Sequence, residues 1–167
     1  MTNQVVIITG ASSGIGKACA YDFARKGANV VMAARNEEAL NAIAGDLQSE
    51  NLSVMAVKTD VSVEDDCKNL IDKTIESFGE IHVLINNAGI SMRGLFQETS
   101  LDVLRKLMDI NYWGAVYCTR YALPHILKNK GSVVGISSIG GFQGLPGRTG
   151  YSSSKFAMHG FLETLRV

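Results

Sequence analysis

Val5-Val6-Ile7-Ile8-Thr9-Gly10-Ala11-Ser12-Ser13-Gly14-Ile15-Gly16 is the stretch on which the fold turns. Four consecutive apolar residues, Val5 to Ile8, all of them β-branched, read as a strand buried on both faces; a strand with one wet face would alternate. The helical spacing of Ile15, Cys19 and Phe23 follows and stops at Lys26-Gly27, a C-terminal glycine signal. Between strand and helix, glycines let the backbone approach a phosphate, and the helix N-terminus adds unpaired N–H groups and a positive dipole end. The spacing Gly10, Gly14, Gly16 differs from G-x-G-x-x-G, and the turn lacks the Gly-Lys-Ser/Thr ending of a mononucleotide P-loop.

Outward from this unit the same alternation repeats. Val30–Ala34 is a second strand, and Asn36 caps a helix with Glu37 and Glu38 in its first turn and Leu40, Ile43 and Leu47 inside. Val54–Val57 is a third strand. Ser62 and Asp65 have capping-box spacing ahead of Cys67, Leu70, Ile71, Ile75 and Phe78, and Gly79 closes that helix. His82–Ile85 is a fourth strand running into Asn86-Asn87-Ala88-Gly89. One long helical region spans about Leu101 to Leu127, Ser132–Ile136 is a fifth strand, Gly140–Gly150 is a glycine-rich loop, and Tyr151–Val167 is a final helix. Strands alternating with helices imply a Rossmann-type, doubly wound α/β fold: a parallel sheet with helices on both faces. No linker or repeat interrupts it, so residues 1–167 are expected to be one domain.

Lys plus Arg and Asp plus Glu are 16 each, so no basic surplus points to nucleic acid. No apolar run reaches membrane-span length, and no membrane partner is expected. Cys19, Cys67 and Cys118 are odd in number and far apart, which suits reduced thiols in the cytoplasm better than disulfides or zinc.

Chemistry concentrates in Tyr151-Ser152-Ser153-Ser154-Lys155. Four residues apart on a helix, Tyr151 and Lys155 share a face. A phenol titrates near 10, too high for ready proton exchange at neutral pH, and a neighbouring ammonium favours the phenolate. At the end of the second strand stands Arg35, where a carboxylate would bind a free ribose 2′-hydroxyl. A guanidinium matches a 2′-phosphate instead, which favours NADP(H) over NAD(H). Asp60, after the third strand, is placed to accept from an adenine amino group. Gly10-Ala11-Ser12-Ser13-Gly14 also matches the G-x-S-x-G elbow of serine hydrolases. That reading needs an oxyanion loop from an earlier strand, and none precedes the first.

With Thr9-Gly10-x-x-x-Gly14-x-Gly16, Asn86-Asn87-Ala88-Gly89, Ser138 and Tyr151-x-x-x-Lys155 in this order, the chain resembles the short-chain dehydrogenase/reductase family over essentially its whole length. The resemblance implies that Tyr151 is the catalytic acid/base and that Lys155 lowers its pKa and holds the nicotinamide ribose. Ser138 would hydrogen-bond the substrate carbonyl, with Ser137 the alternative neighbour, and Asn111 would hold a water linking Lys155 to solvent. Gly10, Ser12, Ser13, Gly14, Ile15, Gly16, Arg35, Asp60, Val61, Asn87, Ala88 and Gly89, together with Tyr151 and Lys155, would bind NADP(H). The implied reaction is hydride transfer between NADP(H) and a small-molecule carbonyl or secondary alcohol, in a homodimer or homotetramer. Family members usually continue through two further strands and a substrate segment; a chain stopping at Val167 is expected to be C-terminally truncated. Two other readings are a redox-sensing NADP(H)-binding module without turnover and the elbow-serine hydrolase.

Overall fold

A computed structural model of the chain describes residues 2–166. Five parallel strands form one sheet: β1 (Val5–Thr9), β2 (Asn29–Ala34), β3 (Val54–Lys58), β4 (Val83–Asn86) and β5 (Ser132–Gly135), in the order β3-β2-β1-β4-β5. The doubly wound expectation holds. β1 lies at the centre with every residue buried, as its unbroken apolar run requires. β5 lies at an edge and is half-exposed.

Alternate residues of the sheet feed two cores. Val5, Ile7, Val31 and Val57 pack with Leu70, Ile71, Cys118 and Ile126 of helices α3 (Glu64–Phe78) and α5 (Gly114–Lys128). Val6, Ile8, Val30 and Met32 pack on the other face with Ala20, Ala24, Leu40, Ile43 and Leu47 of α1 (Gly14–Arg25) and α2 (Glu37–Ser49). Each such buried Val, Ile or Leu contributes about 1.5–3 kcal/mol, so the two layers rather than local propensity hold the sheet. Cys19, Cys67 and Cys118 are free thiols.

The N-cap of α2 and the end of α3 follow the sequence signals, and the start of α3 does not. Asn36 Oδ1 accepts from Ala39 N at 3.0 Å, and Gly79 closes α3 with φ +75°. The Ser62–Asp65 capping box does not form. Val63 is the cap of α3, Ser62 Oγ donates instead to Asp60 Oδ1 at 2.7 Å, and Asp66 accepts from Asp60 N at 2.8 Å. A free carboxylate two residues upstream outcompeted the helix end for the serine.

The long helix is also not continuous. It divides into α4 (Leu101–Met108), a π-helical turn (Asp109–Trp113) and α5. The turn contains Asn111, and its extra residue re-aims the helix face there. The final helix, α6 (Thr149–Leu165), starts two residues earlier than expected; Val167 lies outside the described residues. A β-carbon at Gly150 would fall 2.5 Å from Leu104 Cδ2 and 2.9 Å from Leu107 Cδ1, so glycine there lets α6 press against α4.

Candidate functional site

The strand order reverses between β1 and β4, and there the helices leave the sheet in opposite directions and open a crevice. Thr9 and Asn87 clasp the two carboxyl ends. Thr9 Oγ1 accepts from Asn87 N and Ala88 N, each at 3.0 Å, while Asn87 Nδ2 donates to Thr9 O at 2.8 Å. A β-carbon at Gly10 would stand 2.8 Å from Ala88 Cα, and one at Gly16 would collide with the Gly10 carbonyl and lie 2.5 Å from Asn87 Nδ2. Those two glycines serve close packing.

Gly14 is different. Its φ is positive at +54°, as that of Gly10 is at +67°, but a β-carbon there would meet only open space. Ser13 caps α1 in extended conformation without a side-chain hydrogen bond, so first-turn N–H groups are left to another acceptor. A phosphate fits that chemistry.

The crevice has a volume of about 550 Å³. Gly10, Ser12, Ser13 and Ile15 of the glycine turn line it together with Arg35, Asp60 and Val61. Asn87, Ala88 and Gly89 belong to the same lining, as do Tyr151 and Lys155. The tyrosine–lysine pair and the glycine turn thus share one cavity. No histidine lines it among the described residues; His82 accepts from Val5 N through Nδ1 at 3.1 Å, at the amino end of the sheet.

Lys155 is 5% exposed, and its Nζ donates to Ile136 O at 2.7 Å. Burial pushes its pKa down. Below that lowered value the folded state bears the full cost of an interior ammonium. As pH rises towards the unfolded value near 10.4, the native state releases its proton first, so stability rises through that window. Lys155→Met is accordingly expected to raise the melting temperature of the protein without cofactor and to remove that rise. Calorimetry across the alkaline range checks it; a lowered melting temperature would mean that the Ile136 contact outweighs desolvation.

Burial alone would raise the Asp60 carboxyl. Hydrogen bonds from the Ser62 hydroxyl and N–H, with help from the positive charges of Arg35 and Lys106, outweigh it and hold Asp60 below the ordinary carboxylate range. Asp60 is therefore an anion lining the crevice, with the positive charge of Arg35 acting on it from the same lining.

Ser138 and Asn111 stand apart from the lining. Ser138 Oγ accepts from Gly140 N at 3.1 Å and starts a short 3-10 turn. Its neighbour Ser137 does line the crevice, and the Ser137 hydroxyl is buried without a hydrogen-bond partner. The side-chain amide of Asn111 is occupied: Oδ1 accepts from Ile90 N at 2.8 Å, and Nδ2 donates to Ile90 O and Ser154 Oγ, each at 2.9 Å. Sequence reasoning missed Ser154, the buried partner of Asn111, and Ile90 and Ser91, which join the lining; nothing in their local spacing signals a role.

Fold and crevice together define a doubly wound α/β protein with a glycine-rich turn and a tyrosine–lysine pair in one cavity. The model of the short chain dehydrogenase family matches residues 4–167, and the chain belongs to that family. It is 44% identical over 169 residues to 11-beta-hydroxysteroid dehydrogenase A of Arachis hypogaea, covering all of this chain and 48% of that protein. It is 38% identical over 169 residues to an uncharacterized oxidoreductase of Bacillus subtilis, again covering all of this chain and 48% of the relative. The chain thus spans about half the length of the curated relatives it matches. Among solved structures, a short chain dehydrogenase/reductase from Burkholderia phymatum in complex with NAD superposes with a TM-score of 0.95 at 32% identity, covering 98% of this chain and 59% of that one. An alcohol dehydrogenase from Thermococcus sibiricus complexed with 5-hydroxy-NADP gives 0.95 at 29% identity, covering 98% and 70%.

Proposed function

We propose that residues 1–167 form one dinucleotide-binding domain carrying Asn111, Ser138, Tyr151 and Lys155, and that the protein is an NADP(H)-dependent oxidoreductase interconverting a carbonyl and a secondary alcohol. The observation that carries this is the presence of Tyr151 and Lys155, one helical turn apart, on the wall of the same cavity that starts at the Gly10–Gly16 turn. The nicotinamide, when bound, supplies or accepts hydride. The chain's own work is the proton and the orientation. Tyr151 donates its phenolic proton to the carbonyl oxygen as negative charge develops there, and takes it back in oxidation. Lys155 as an ammonium stabilises the phenolate electrostatically, and burial, which loosens its proton, lets it restore the phenol. A serine hydroxyl just past β5 orients the carbonyl oxygen; Ser138 is the assignment that the family resemblance implies, and the unpartnered hydroxyl of Ser137 makes it the residue to compare. Asn111 supports the site by pinning Ile90 to α6 through Ser154.

The NADP(H) preference rests on Arg35 lining the crevice next to the end of β2. One solved relative holds NAD and another 5-hydroxy-NADP, so the choice belongs to this chain's residues. Arg35→Ala is expected to weaken NADPH binding about tenfold or more while leaving NADH nearly unaffected, the loss of a charge-assisted contact to phosphate. Titration of both cofactors checks it, and equal losses would refute the 2′-phosphate assignment.

Self-association through α4–α6 is part of the same reading, supported by an aromatic face. Trp113 stacks on Tyr117 with ring centroids 5.6 Å apart, and Trp113 and Phe156 are both more than two-fifths exposed. Among the described residues no helix is long and apolar enough to cross a membrane. Three free thiols support a cytoplasmic location. The deciding experiment follows NADPH consumption by absorbance against ketones, aldehydes and quinones. Turnover of a ketone is expected; cofactor binding without consumption would favour the redox-sensing module.

A further inference from the structure

We propose that Arg148 is a positioning residue for Tyr151, acting through Ser91 as a bracket across the mouth of the crevice. This rests on Tyr151 being the proton donor. Ser91 and Tyr151 line the same cavity. Arg148, the residue before α6, reaches both: its Nη1 donates to Ser91 Oγ at 2.6 Å, and its guanidinium carbon lies over the Tyr151 ring at 5.9 Å from the centroid, the outer range of a cation–π approach.

The bracket is built on fixed points. Gly147 precedes Arg148 with φ +70°, a conformation that favours glycine, and its carbonyl accepts from Gly94 N at 2.9 Å. Arg148 O accepts from Ser152 N at 2.8 Å and so opens α6. On the loop side, Ile90 is held at both N–H and carbonyl by Asn111. The loop is therefore tied at residues 90, 91 and 94. Two of those ties run to residues 147–148, and the third reaches α6 through Ser154.

No carboxylate pairs with Arg148 among the described residues. The guanidinium instead meets a neutral hydroxyl and a π face, contacts whose value depends on its planar shape. Without them the loop can lift and the Tyr151 ring loses a neighbour on one face. A misplacement of about 1 Å is enough to cost turnover about a hundredfold. Neither Arg148 nor Ser91 is hydrogen-bonded to the glycine turn among the described residues, so cofactor affinity should not respond.

The test is a double-mutant cycle on Arg148→Ala and Ser91→Ala, with Arg148→Lys and Tyr151→Phe alongside, reading kcat, KM, NADPH affinity and amide hydrogen exchange of residues 90–95. Expected for Arg148→Ala is a fall in kcat of about ten- to hundredfold with NADPH affinity unchanged. Ser91→Ala falls in the same direction, the double variant is no slower than Arg148→Ala alone, and Arg148→Lys recovers part of the loss. Exchange in 90–95 quickens in both single variants, a readout independent of turnover. Additive losses, or exchange unchanged in both, would overturn the bracket. A rise in KM confined to substrates bearing a carboxylate, with kcat intact, would also overturn it and assign Arg148 to substrate charge instead. If Tyr151→Phe keeps full activity, the proton-donor reading fails, while hydrogen exchange still decides whether Arg148 and Ser91 are coupled.

Discussion

Tyr151→Phe is expected to lower turnover by about 10³-fold or more, with NADPH affinity and thermal stability unchanged. Phenylalanine keeps the ring, and the ring is what the protein packs: it lies against Gly140, where a β-carbon would come within 3.2 Å of Tyr151 Cε1, and beneath the Arg148 guanidinium. Outside the helix ladder, the hydrogen bond that Tyr151 makes to another side chain runs through its carbonyl, which accepts from Ser154 Oγ at 2.8 Å. Removing the hydroxyl therefore breaks no intramolecular bond seen in this fold and leaves no orphaned partner. What disappears is the proton. Single-turnover reduction with bound NADPH measures the step directly. Activity within a few-fold of the parent would reject the proton-transfer role, and a large drop in melting temperature would reassign Tyr151 to structure.

The second large effect is on the fold. Gly16→Ala is expected to destabilise the protein by about 1–3 kcal/mol, although alanine is the better helix former by about 1 kcal/mol and Gly16 lies in the first turn of α1. The two effects oppose, and geometry decides between them. A β-carbon at Gly16 would meet the Gly10 carbonyl and, at 2.5 Å, Asn87 Nδ2. Neither can yield by changing rotamer: one is backbone, and the other is committed to Thr9 O and Gly10 O at 2.8 and 3.2 Å. Relief requires α1 to move off β4, which opens the clasp. Gly14→Ala is the control. Its β-carbon meets open space, so only the positive φ is penalised, by about 1 kcal/mol. Urea titration of both variants checks the ranking. Equal stabilities would mean that the turn does not hold α1 against Asn87.

How far the chain could be understood without coordinates differs from element to element. β1 was legible because a central strand has no wet face, and Val5–Ile8 shows none. The ends of α2 and α3 were legible because Asn36 and Gly79 satisfy local backbone demands by themselves. The Ser62–Asp65 box was misleading because Asp60, outside the motif, took the serine hydroxyl. The interruption of the long helix at Asn111 was invisible for a related reason. What makes a π turn worthwhile is a pair of hydrogen bonds to Ile90, twenty-one residues earlier.

The sequence by itself determined the α/β alternation, the central strand, the glycine turn and the pairing of Tyr151 with Lys155, all consequences of spacing within one strand or one helical turn. Tertiary structure alone decided that β4 returns beside β1, that Asn87 closes on Thr9 and Gly10, that Gly10 and Gly16 pack while Gly14 stays open, and that Arg148 reaches Ser91. The division has one physical cause. A helix or strand repeats its own geometry, so residues a few positions apart can be placed from their spacing. Contacts between residues 57 to 79 positions apart exist only after the buried faces of the sheet have brought those segments together.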